Sequence, residues 1–447
     1  MTHEPAEKRG GPCRAERERL AACREGQTDW RRFGPYLSER QWGTVREDYS
    51  GTGDAWTYFP HDHARSRAYR WGEDGIAGVC DEQQRLCLAI ALWNERDPIL
   101  KERLFGLTNT EGNHGEDVKE IYAYLDATPT ASYLAMVYKY PQAAFPYELL
   151  VRANAARSRK EPEFELLDTG VFDDDRYFDV FVEYAKAGPL DLLMRVTAHN
   201  RGHDAAALHV LAQLWFRNTW SWRPGASRPL VARAAHGGVR ARHDDLGVFH
   251  LQADGTPAWL FCENDTNVRR LYGMHDAAGP FKDAFHEHLV EKRRGVLSQG
   301  ERGTKAAAHE RLVVPGGGSV RLRFRLSQDP SSRPFDDFDA VMATRIAEAD
   351  AFHANLGDGV ESDEGRRIQR QAHAGLVWNR QYYHYDVREW LAGDPGQPAP
   401  PPQRRDGRNH EWEHLNNQEV ISMPDKWEYP WYASWDLAFH CVAQARL

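Results

Sequence analysis

The chain has no long apolar run. Nowhere do about 18 apolar residues follow one another, the length a membrane-spanning helix needs. The longest stretch, L-C-L-A-I-A-L-W at Leu86–Trp93, is of strand size. The N-terminus is charged where a secretory signal requires its apolar segment, so no export route is legible and the expected location is the cytoplasm. Excess basic charge is missing too: at a formal charge of −9, neither nucleic acid nor a membrane is an expected partner. Cysteine is scarce, six residues with no C-x-x-C and no regular spacing, which points to reduced thiols and away from a disulfide framework or a zinc site. No repeat of about 20 to 50 residues stands out, which removes solenoids and propellers. The pairs His61/His63 and His286/His288 find no convincing third ligand, and the glycines at 316–318 precede a strand where a phosphate cradle follows one. No metal and no cofactor are therefore expected.

What the chain does have is aromatic side chains, with Trp 15 times and Tyr 18 times. Flat rings with a polar edge stack on the C–H faces of sugars while neighbouring groups read the hydroxyls. The same rings also fill a large core, so composition alone leaves both readings open.

A chain of 447 residues divides most naturally into two or three domains. Residues 1–29 are charged and interrupted by Gly and Pro, the composition of a disordered segment. From 30 to 330 the pattern is one of short strands and turns. Y-F-D-V-F-V-E-Y-A at 177–185 alternates as a half-buried strand does, the segments at 191–201, 207–218 and 316–327 continue the signal, and 111–141 reads as an aromatic-dense insertion. A large β-sandwich follows. From 331 to 447 the chain turns helical. Phe338, Val341, Ile346, Ala349 and Phe352 form one stripe of a helix over 337–356, and the spacing extends a second helix over 364–391. A Pro-rich connector at 393–403 precedes a last helix that starts at Pro430.

On that last helix Trp431, Trp435 and Phe439 share one face, with Asp436 and His440 on the adjacent one. A carboxyl beside indole rings is a candidate general acid, because burial disfavours its charged form. The positive end of the helix dipole opposes this within the first turn. Counted from Pro430, Asp436 lies about two turns in, so desolvation is expected to win. The bland reading is an ordinary surface acid, or one satisfied by a nearby cation. One carboxyl is also not a mechanism, since inverting cleavage of a glycoside needs two, about 6.5–9.5 Å apart.

Several long, irregular strings then occur in order: E-R-L-F-G-L-T-N-T-E-G-N-H-G-E-D-V-K-E, Y-K-Y-P-Q, D-T-G-V-F, R-Y-F-D-V-F-V-E-Y-A-K, L-W-F-R-N-T-W-S-W and H-L-N-N-Q-E-V-I-S-M-P-D-K-W-E-Y-P-W-Y-A-S-W-D-L-A-F-H. Together they resemble the bacterial glucosidase-like members of glycoside hydrolase family 63, from about Trp42 to His440. The resemblance implies an α+β, multi-domain chain with an N-terminal β-sandwich followed by an (α/α)6 toroid that cleaves α-glucosidic linkages with inversion. The family's W-D-x-x-F element maps onto Trp435, Asp436 and Phe439, which makes Asp436 the catalytic proton donor. Trp378, Trp427, Tyr429, Trp431 and Trp435 become candidate sugar-stacking rings, and Lys426 a candidate hydroxyl contact. Members of the family continue through further helices that hold the general base. The expectation is thus an incomplete toroid, inactive alone, whose partners are a carbohydrate substrate and a second chain that completes the ring. The competing expectation is a non-catalytic carbohydrate-binding or interaction protein that retains the sandwich.

Overall fold

The computed structural model describes the chain except for residues 1–12, 41–49, 51–57, 59, 109–110, 115–116, 224, 236, 358, 396, 425 and 427–430. Two antiparallel sheets dominate it. The first has six strands in the spatial order Phe33–Gly34, Ile76–Asp81, Leu86–Trp93, Ala206–Phe216, Lys305–Val314 and Ala258–Cys262. The second has nine: Arg302–Gly303, Leu230–Arg233, Val239–His243, Gly247–Ala253, Ser319–Ser327, Asp191–Asn200, Tyr177–Gly188, Tyr133–Pro141 and Ile121–Ala127.

Period-two patterning explains why these segments are strands and which face they bury. In Tyr177–Gly188 the residues Phe178, Val180, Val182 and Tyr184 point inward, and they meet Leu88, Ile90, Leu92, Leu208, Val210, Ala212 and Leu214 of the other sheet in one core. Each such side chain removed from water contributes about 1.5–3 kcal/mol, which makes this shared layer the main source of cohesion. The six-stranded sheet is covered on its other face as well, where Ala91, Trp93, Leu211 and Ala307 pack against Phe285 and Leu289 of the helix Ala284–Leu289. Ala206–Phe216 is therefore buried along most of its length, and its letters are apolar on both faces apart from His209 and Gln213.

The stretch 111–141 is not an insertion. It holds the strands Ile121–Ala127 and Tyr133–Pro141, which form one edge of the nine-stranded sheet. The N-terminal segment also departs from expectation, because Cys13–Arg24 is a helix. Its Glu16 is wholly buried and accepts hydrogen bonds from the backbone N–H of Thr130 (2.7 Å) and from Ser132 Oγ (2.8 Å), while Arg19 pairs with Glu16 and Glu348. Tertiary contacts thus order a sequence whose composition alone argues for disorder.

The helix Phe338–Leu356 lies on the outer face of the nine-stranded sheet, where Phe338, Met342 and Ala349 pack on Tyr133, Ala135, Ala185 and Leu193. The second helix is shorter than the periodicity suggests. It starts at the N-cap Ser362, whose hydroxyl accepts from Gly365 N, and ends at Trp378. Arg380–Asp386 is instead a strand paired with Asn416–Ser422, followed by the short helix Val387–Ala392. In this hairpin Tyr382 joins a cluster with Tyr36, Leu37 and Trp215 of the sandwich, while Tyr383 and Tyr385 pack with Trp390, Ile421 and Met423. No helix among the described residues is long and apolar enough to cross a membrane.

Candidate functional site

The last helix is Ser434–Gln444. It begins after Ala433, so Asp436 sits in its first turn, not two turns in, and Trp431 precedes the helix. The distance from the helix dipole that would favour a protonated carboxyl is therefore not provided by this helix. Ala433 and Leu437 lean on the hairpin cluster that contains Tyr383, Tyr385 and Trp71, and His440 Nδ1 lies 3.1 Å from Ser422 Oγ. Burial holds the His440 imidazole below its ordinary value, with the Asp436 carboxylate one turn away pulling it up.

The opposite side of the helix is uncovered. Trp435 is 71% exposed, Phe439 65% and Val442 74%, at i, i+4 and i+7. The rings of Trp435 and Phe439 meet edge to face with centroids 5.8 Å apart. This is an apolar stripe in water, with Asp436 half-buried beside it. Neither of two cavities, of about 830 and 160 Å³, is lined by a residue of this helix.

The remaining predicted site residues separate. Trp378 is wholly buried, its ring stacked on Tyr124 at 5.0 Å and 5° and its Nε1 donating to Asp126 O at 3.1 Å. With no ring face open to a ligand, it is a packing residue that seats the second helix on the sandwich, a correction to its assignment as a sugar platform. Lys426 is likewise spent on structure. It is 1% exposed, and its ammonium donates to the carbonyls of Pro35 (2.8 Å) and Leu37 (2.5 Å), tying the C-terminal segment to the start of the sandwich. Trp431 is half-buried. Trp427 and Tyr429 lie outside the described residues, as does Pro430.

One acidic cluster and two of the histidines bear on metal chemistry. Asp117, Glu163 and Glu165 face one another closely enough to share an ion, but the Lys119 ammonium already lies among them, 2.5 Å from Glu163 and 2.9 Å from Glu165. Burial, reinforced by the Glu163 carboxylate, pushes Asp117 up to about 7. His61 stacks on Tyr147 (5.5 Å) and meets Phe105 edge-on, and burial drives its pKa well down. His286 Nδ1 accepts from Leu100 N at 3.2 Å.

The sequence reading missed the aromatic and cationic seam between the sandwich and the hairpin. Trp222 stacks on His384 (5.5 Å, 27°), and the guanidiniums of Arg70 and Arg217 lie 5.1 and 5.2 Å from its ring centroid. Glu389 bridges Arg70 and Arg223, each at 2.8 Å. The string W-S-W at 220–222 was the available signal, but its partners lie some 160 residues away along the chain, so spacing could not link them.

The geometry defines a class of architecture: an antiparallel sandwich with helices laid against it and a last helix whose apolar face is bare. An uncharacterized protein of Saccharomyces cerevisiae is 42% identical to it over 480 residues, which take in 97% of this chain and 44% of the yeast protein. The chain thus spans less than half the length of that relative. No family model matches. Among solved structures, one described as “Putative kojibiose phosphorylase from human microbiome” is 5% identical, with 73% of this chain and 36% of the other covered and a TM-score of 0.23. The inverting mannosidase of family GH92 from Bacteroides thetaiotaomicron is 9% identical, with 77% and 40% covered and a TM-score of 0.23. Similarities this low carry no argument about this chain.

Proposed function

We propose that the chain is the sandwich-bearing part of a glycoside hydrolase of inverting α-glucosidase type, in which Asp436 donates the proton to the leaving oxygen once further helices close over the last one. The order of parts supports this reading. A large sandwich, a long helix along its outer sheet, a second helix and, beyond the strand pair Arg380–Asp386 and Asn416–Ser422, a helix carrying Trp435, Asp436 and Phe439 occur in that order, and a sandwich followed by helices is what the family resemblance implies. The bare stripe of that final helix is the face a completed (α/α)6 ring would cover.

Chemically, a proton donor at neutral pH needs a wall that keeps water from its carboxyl, and an inverting reaction needs a second carboxylate to activate water. Trp435 is positioned to be part of such a wall only when its indole is itself covered. The isolated chain is therefore expected to release no glucose from α-linked glucosides, and to do so only with a helical complement and an intact Asp436. Steady glucose release by the chain alone, undiminished in Asp436→Asn, would overturn the assignment. A second reading, a carbohydrate-binding or interaction protein without catalysis, is favoured by one observation: Asp436 lines neither cavity.

A further inference from the structure

We infer that the cavity between Trp222 and the Pro-rich connector is a binding subsite for one neutral pyranose, an inference that rests on the carbohydrate reading above. At about 160 Å³ the cavity is smaller than the roughly 300–1,000 Å³ of pockets for drug-sized ligands, so it suits one sugar ring and not an oligosaccharide. Its lining comes from four parts of the chain: Ala68 and Tyr69 before the strand Ile76–Asp81, Asn218, Ser221 and Trp222 after Ala206–Phe216, Asp265 after Ala258–Cys262, and Asp394 and Gln397 on the connector.

The polar groups suit hydroxyls. Asp265 is fixed, its Oδ1 accepting from Asn218 Nδ2 (2.8 Å) and Trp220 Nε1 (3.0 Å) and its Oδ2 pairing with Arg228. Oδ1 is thereby saturated, and only Oδ2 keeps a site for one hydroxyl, as a carboxylate has about four lone-pair sites, two on each oxygen. Gln397 Oε1 accepts from Tyr272 Oη, while Ser221 Oγ and Gln397 Nε2 make no hydrogen bond among the described residues, which leaves a hydroxyl and an amide donor at the cavity wall. Trp222, held by Arg70, Arg217 and His384, supplies a fixed apolar surface. The two open donors need acceptors, which a simple cation lacks. A polyhydroxylated ring gives and accepts at every position.

The test is glucose and maltose binding to the full chain, by saturation-transfer NMR and calorimetry, with Ser221→Phe to fill the cavity, Gln397→Leu to remove one donor, and the exposed Trp412→Ala as control. Saturable glucose binding is expected, weakened at least tenfold by Ser221→Phe and severalfold by Gln397→Leu, and unchanged by Trp412→Ala. Circular dichroism verifies the fold of each variant. Binding that survives both cavity variants overturns the subsite, and if Trp435→Ala then abolishes it, the sugar belongs to the last helix and the carbohydrate reading stands. A folded wild-type chain that binds neither sugar removes the subsite alone; the carbohydrate reading falls separately, if the chain with its helical complement releases no glucose either.

Discussion

Trp378→Ala separates the two roles that this residue can have. If the ring were a sugar platform, its removal would leave the fold intact and impair binding. In the structure it is wholly buried, stacked on Tyr124 and hydrogen-bonded to Asp126 O. Truncating a buried Trp typically costs about 3–5 kcal/mol through lost burial and the cavity left behind, and a well-placed aromatic pair adds about 0.5–1.5 kcal/mol. The Nε1–H bond contributes about 1 kcal/mol more, although part of it is recovered if water reaches the carbonyl. These contributions overlap, so the expected loss is about 4 kcal/mol. Urea unfolding followed by far-ultraviolet circular dichroism measures it, with Trp435→Ala as the exposed comparison, expected within about 0.5 kcal/mol of wild type. A loss below about 1 kcal/mol for Trp378→Ala would refute the packing assignment.

The stacked pair His209 and His309, with Nδ1 and Nε2 2.8 Å apart, gives a pH dependence. Burial, and then the neighbouring His209, push His309 down to about 4. The unfolded chain binds the proton first, so this contribution is complete above about pH 6.5 and fades as the pH falls towards 4. Urea midpoints between pH 7 and 4.5 should fall less steeply in His309→Gln than in wild type. Lys119→Met leaves Asp117, Glu163 and Glu165 facing one another without their cation, and the loss of charged hydrogen bonds predicts destabilisation of about 1.5–3 kcal/mol, partly reversed by calcium. Indifference of thermal unfolding to the substitution would show the cluster to be incidental. Trp435→Ser with Phe439→Ser should leave thermal stability unchanged while reducing self-association on size-exclusion chromatography with light scattering, because both rings face water.

How far the sequence revealed the structure depends on what each segment packs against. Tyr177–Gly188 was legible because one face meets the core and the other a less buried layer, so its letters alternate. Phe338–Leu356 was legible for the equivalent reason, a stripe laid on a sheet. The reading failed where local pattern and long-range pairing disagree. Q-Y-Y-H-Y-D continues a helical-looking run after Trp378, yet pairing with Asn416–Ser422 makes it a strand, with Tyr382 and His384 turned towards Tyr36, Trp71 and Trp222 and Tyr383 towards Trp390. Tyr-rich segments fit a pleated surface well, and the partner strand lies some 30 residues on, beyond any local window. Cys13–Arg24 shows the reverse, since its order depends on Thr130, Ser132 and Glu348, far along the chain. The site divided in the same way. A motif could nominate Asp436, but only packing could show that Trp378 and Lys426 are held inside.

The position of Asp436 also constrains what any completion of the site must do. Asp436 lies in the first helical turn, half-buried beside the bare stripe. A proton donor at neutral pH needs a carboxyl shielded from water. Raising a carboxyl by two pH units corresponds to about 2.7 kcal/mol, and desolvation can supply that much only if apolar surface encloses the group. Two large apolar side chains of the same helix, Trp435 and Phe439, are mostly in solvent. Whatever covers that stripe must therefore exclude water from Asp436 as well as bury two aromatic rings. The two effects can be separated: a helical complement that binds but leaves the carboxyl wet would stabilise the chain without making it a catalyst, whereas one that encloses both would raise the Asp436 pKa on binding, a shift measurable by carboxyl-carbon NMR.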